Sequence, residues 1–138
     1  MARARPIAFQ NARLVDPESR YDGPGALVVK DGLIADVSKG KDFNNLSGDV
    51  QVVDCAGGML APGLIDLRVK TGEPGAETKE TLRSAALAAA AGGVTSFVVQ
   101  PDTDPAVDDP SVVDFILRRA RDIEAAHILC AGAATKGL

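Results

Sequence analysis

From Pro62 onward the sequence alternates strand-length apolar runs with helix-period segments, and this restricts the possible folds more than any other feature. Leu64–Val69 reads as a strand. Thr78–Ala91 places Leu82, Ala85, Ala86 and Ala89 at helical spacing and meets a stop at Gly92-Gly93. Thr95–Val99 is a second short strand. Asp109-Pro110 supplies an N-cap and first-turn pair for a helix in which Val112, Ile116, Ala120 and Ile123 share a face. Ile128–Ala131 is a third strand. Strand, helix, strand, helix, strand is the pattern of βα units on a parallel sheet.

Before Pro62 the pattern is β alone. Ile7–Val15 is a strand-length run that ends at Asp16-Pro17. Ala26–Val29 and Leu33–Val37 flank Asp31-Gly32, a hairpin signal because a tight turn of this kind needs φ > 0 at both central residues. Lys39–Asp49 is polar and reads as a loop. Val52-Val53 starts another strand that breaks at Gly57-Gly58, and Met59–Ala61 runs up to Pro62-Gly63. The expected division is therefore a β segment over 1–61 and a βα segment over 62–138. A (β/α)₈ barrel takes about 250 residues, so residues 62–138 hold about two and a half of its units, and a barrel left incomplete by this chain is expected.

Charge and composition exclude several function classes. A net charge of −4 leaves no basic footprint for nucleic acid. No apolar run approaches the roughly 20 residues needed to span a bilayer, and the basic start Met1–Pro6 lacks the apolar stretch of a signal peptide. Cys55 and Cys130 belong to no CxxC pair or metal cluster, so buried thiols in a reduced, cytoplasmic setting are expected.

The segment Ala61-Pro62-Gly63-Leu64-Ile65-Asp66-Leu67-Arg68-Val69-Lys70-Thr71-Gly72-Glu73-Pro74-Gly75 resembles the first barrel strand of the dihydroorotase and hydantoinase branch of the amidohydrolase superfamily. There the strand reads PGxxDxHxH and continues into an REPG turn. Val28–Ile34 and Val53–Gly57 are similar to the strands of the urease-like β-sandwich that precedes that barrel. Lys79-Glu80-Thr81, Ala88–Thr95, Gln100–Thr103 and Thr135-Lys136-Gly137 resemble the family's helix, its AAxGGVT turn, its MPNT segment and the stretch after its third strand. The resemblance implies an α/β protein comprising a β-sandwich segment and the N-terminal part of a metal-dependent-hydrolase TIM barrel. It also implies a place in pyrimidine biosynthesis.

Residues two apart on a strand point to one face, so the family's two histidines reach a single zinc at the barrel mouth. Zinc there activates water and polarises the carbonyl of a cyclic amide. Here Arg68 and Lys70 hold the two histidine positions. A guanidinium has no lone pair to give, and lysine ligates only after losing a proton with an ordinary pKa near ~10.4. A cation about 4 Å from a unit positive charge is repelled by roughly 4 kcal/mol at an effective dielectric of 20. No zinc or other cofactor is therefore expected.

The resemblance assigns the REPG arginine and the MPNT asparagine to the substrate carboxylate, and those positions are Gly72 and Asp102. Asp66 matches the aspartate before the histidine pair and reads as a hydrogen-bonding partner or counter-ion. Arg68 and Lys70 are expected to fill the vacated mouth by pairing with Asp102 or other carboxylates. Glu73-Pro74-Gly75 reads as a turn, and His127 as a structural residue at a strand start. The chain thus resembles the non-catalytic dihydroorotase homologues that assemble with aspartate carbamoyltransferase in homo- or hetero-oligomers. The alternative is an active zinc-dependent cyclic amidohydrolase with an altered metal site.

Overall fold

The computed structural model describes residues 5–46 and 48–138. Met1–Ala4 of the basic start and Ser47 of the polar loop lie outside the described residues. The chain divides into two compact units, Met1–Pro62 and Gly63–Leu138.

The first unit is a five-stranded sheet. Strand β1 (Ile7–Asp16) lies centrally, antiparallel to β2 (Tyr21–Lys30), which pairs in turn with β3 (Leu33–Lys39). The β2–β3 turn is Asp31-Gly32 with φ of 51° and 78°, the left-handed pair that its dipeptide calls for. On its other edge β1 pairs in parallel with β4 (Gln51–Asp54) and then with β5 (Met59–Leu60). The register of β1 shifts between Phe9 and Ala12, where Asn11 adopts φ 52° and its side-chain amide donates to Asp54 at 2.9 Å. This bulge re-aims β1 between its two partners. Ala8, Ala12, Leu14 and Ala26 are buried.

The second unit is a three-stranded parallel sheet in the order β6 (Leu64–Val69), β7 (Val94–Val99), β8 (His127–Cys130). Helix α1 (Leu82–Ala91) follows β6 and α2 (Pro110–Arg121) follows β7. The core joins Leu82, Ala85 and Ala86 of α1 to Phe97 and Val99 of β7, Ile116 of α2, Ile128 of β8, and Val107. Burying Phe97 or Ile116 contributes roughly 1.5–3 kcal/mol each.

Helix α1 begins at Leu82 rather than at Thr78 as expected from its spacing. The physical reason is a capping box: the Thr81 hydroxyl accepts from Ser84 N while the Ser84 hydroxyl accepts from Thr81 N. It ends as its glycines dictate, with Gly93 at φ 79°. Helix α2 starts at Pro110, and Asp109 accepts from Ser111 N at 2.9 Å. Strand β8 stops one residue earlier than expected, because Ala131 N still donates to Val99 O but Ala131 lies beyond the ladder.

The two cysteines depart from expectation. Both are free and only partly buried: Cys55 follows the last residue of β4, and Cys130 ends β8 at the margin of the core. Burial still pushes the Cys130 thiol above its ordinary pKa. Among the described residues no helix is long and apolar enough to cross a membrane.

Candidate functional site

In a parallel sheet the carboxyl ends of the strands share one edge, where α/β proteins bind ligands. Lys70 follows the last residue of β6, while Gln100 and Asp102 follow β7. The edge is held by Gln100, whose N–H donates to Val69 O at 2.9 Å and whose side-chain amide donates to Leu67 O at 3.1 Å. It compensates for a register shift between Asp66 and Val69. Within that irregularity Asp66 accepts from Arg68 N at 2.9 Å. Asp66 therefore acts as a local hydrogen-bonding partner of its own strand.

The Lys70 ammonium donates to Asp102, forming an ion pair across the ends of β6 and β7. That hydrogen bond holds the Asp102 carboxyl below its ordinary pKa, with weaker attraction from Lys70 and Arg68 and with burial acting against them. Half of the expected cation–carboxylate arrangement is thus present. Arg68, by contrast, only attracts Asp102 from a distance and makes no side-chain hydrogen bond or ion pair among the described residues. In this chain the Lys70 side chain is 69% exposed, and Arg68 is exposed as well.

A depressed carboxylate pKa has a defined consequence. Asp102 contributes stability above its unfolded value near 3.8, and loses it as pH falls through the lower folded value. Asp102→Asn should therefore differ from the parent in urea midpoint at neutral pH, with the difference shrinking as pH falls below 3.8 and through the lower folded value. A gap that persists in strong acid would contradict this.

Gly72 is closed over by backbone. A Cβ built there meets the carbonyl oxygens of Ala76 and Glu80, the latter at 2.6 Å. The loop has folded into the space an arginine would need. The neighbouring Glu73 was expected only to shape a turn, yet it is 2% exposed and spans three elements. One carboxylate oxygen accepts from Leu82 N at 2.9 Å, capping α1, and the other from Arg119 Nε of α2 at 2.6 Å. The pairing raises the Arg119 pKa. His127, the first residue of β8, is exposed.

The donors at the strand ends do not fit a zinc ion. Lys70 is engaged as a cation, Arg68 offers no lone pair, and no group of three or more His, Cys, Asp or Glu among the described residues could hold a metal.

Two hydrolase structures of the amidohydrolase fold superpose on this chain. The L-hydantoinase of Arthrobacter aurescens matches with a TM-score of 0.70 at 23% identity, over 91% of this chain and 27% of its own. The dihydropyrimidinase of Brevibacillus agri NCHU1002 matches with a TM-score of 0.73 at 21% identity, over 91% and 26%. They define the fold class: a β-sandwich segment followed by the start of an amidohydrolase barrel. The family model described as dihydro-orotase-like matches residues 57–137. The dihydroorotase of Wolbachia sp. subsp. Drosophila simulans (strain wRi) is 42% identical over 122 residues, covering 88% of this chain and 27% of the relative. That of Solibacter usitatus (strain Ellin6076) is 40% identical over 132 residues, covering 96% and 30%. This chain belongs to the dihydro-orotase-like family, and it spans less than a third of the length of these curated relatives.

Proposed function

We propose that this chain carries a dihydroorotase-like scaffold without metal-dependent hydrolysis, and that it serves pyrimidine synthesis as a structural partner of aspartate carbamoyltransferase. The observation behind the first half is the Lys70–Asp102 ion pair. A position that gives the family a metal ligand here carries a charge already neutralised within the protein. Arg68 repeats the loss at the other ligand position, and the closed loop at Gly72 removes the substrate clamp. In this reading residues 1–61 belong to the sandwich, 62–138 form the first barrel units, and the protein acts in the cytoplasm within a homo- or hetero-oligomer.

The partnership rests on the likeness to non-catalytic family members. It is tested by expressing aspartate carbamoyltransferase with and without the gene product that contains this chain. Co-purification, with transferase activity lost when the product is deleted, is the expected result. A transferase that assembles and works normally without it would contradict the proposal.

A further inference from the structure

Arg83 stands at the second position of α1, where the helix dipole disfavours a cation, and no acidic residue stands in that first turn to offset it. Arg118, Arg119 and Arg121 occupy the last turn of α2. Dipole compensation explains those three. Arg83 reaches across to the same helix end, donating to the carbonyl of Asp122, the C-cap of α2.

Arg83, Arg118 and Arg119 converge on one cleft of about 340 Å³, a size at the lower end of small-molecule sites. Each guanidinium presents several N–H donors in a planar fork, and each has one described bond. Arg83 Nη2 donates to Asp122 O at 3.2 Å, Arg118 Nη2 to Asp114 at 3.3 Å, and Arg119 Nε to Glu73 at 2.6 Å. The remaining donors have no partner among the described residues. The helix terminus itself contributes little, since Leu82 N and Ser84 N are already satisfied by Glu73 and Thr81. Three arginines and two carboxylates, Glu73 and Asp122, line the cleft, while Asp114 pairs with Arg118 from outside that lining.

We propose that this cleft binds a small multivalent oxyanion, a phosphate ester or a polycarboxylate, through the guanidinium forks of Arg83 and Arg118. Planar forks engage both groups in bidentate fashion. Glu73 fixes Arg119 as the third wall. The site is separate from Arg68 and Lys70 and does not depend on the function proposed above.

The test is isothermal titration of the 138-residue chain with inorganic phosphate and with citrate at constant ionic strength. Saturable binding of at least one is expected, weakened about tenfold by Arg83→Gln or Arg118→Gln and abolished by both together. Arg121→Gln, which lies outside the cleft, should leave it unchanged. Saturation by phosphate alone assigns a phosphate ester, and by citrate alone a polycarboxylate. No saturable binding by either, or binding retained by the double variant, overturns the proposal. Should the double glutamine variant fail to fold, Arg83→Lys with Arg118→Lys decides: these keep the charge and lose the fork, so clear weakening supports the site and unchanged affinity overturns it.

Discussion

Glu73→Ala is expected to destabilise the second unit by about 2–4 kcal/mol, measured as a lower urea midpoint. The carboxylate is 2% exposed and joins the loop after β6 to the start of α1 and to α2. Alanine leaves Leu82 N without its acceptor at a fully buried residue, removes a charge-assisted bond from Arg119, and opens space beside the core. Glutamine does not rescue the site fully, because its amide presents a donor to either Leu82 N–H or the Arg119 guanidinium. Lys79→Ala, at an exposed residue of the same loop whose side chain has no described hydrogen bond or ion pair, is the control and should change stability by less than about 0.5 kcal/mol. Equal effects of the two substitutions would show that the three-way bridge does not form.

Gly72→Arg is expected to cost about 2–3 kcal/mol rather than recover a substrate clamp. The obstruction begins at Cβ, which meets two backbone carbonyl oxygens, so rotamer choice cannot relieve it. Ala76 N also donates to Gly72 O, tying the loop to the residue that would have to move. Gly72→Ala should therefore already lower the thermal midpoint, with arginine lowering it at least as far. An arginine variant as stable as the parent would mean that the loop opens freely and that the clamp was lost by side chain alone.

What could be read from the sequence was what local chemistry decides. Asp31-Gly32 specified its turn because few dipeptides accept two left-handed residues, and Asp109-Pro110 fixed the start of α2 through a cap and a preset φ. Leu64–Val69 stood out between Pro62-Gly63 and the polar turn that follows. The start of α1 was less legible because Thr78 and Thr81 both offer a hydroxyl, and only Ser84 selects between them.

At the site, the pairing of Lys70 with Asp102 was accessible from charge alone. Three features were not. The partners of Glu73 lie 9 and 46 residues away, so its burial depends on how two helices pack. The bulge that turns Asp66 onto its own strand, and Gln100 that repairs it, depend on register with β7. Glycine at position 72 read as a missing side chain, whereas the fold makes it a point of backbone contact.

In the function proposed above, the metal chemistry of the family has been replaced at Arg68 and Lys70. The most direct test is zinc content together with dihydroorotate hydrolysis, measured on the full-length product containing this chain beside a dihydroorotase that turns over in the same assay. No stoichiometric zinc and no turnover are expected. Stoichiometric zinc with hydrolysis that chelation abolishes would contradict the proposal.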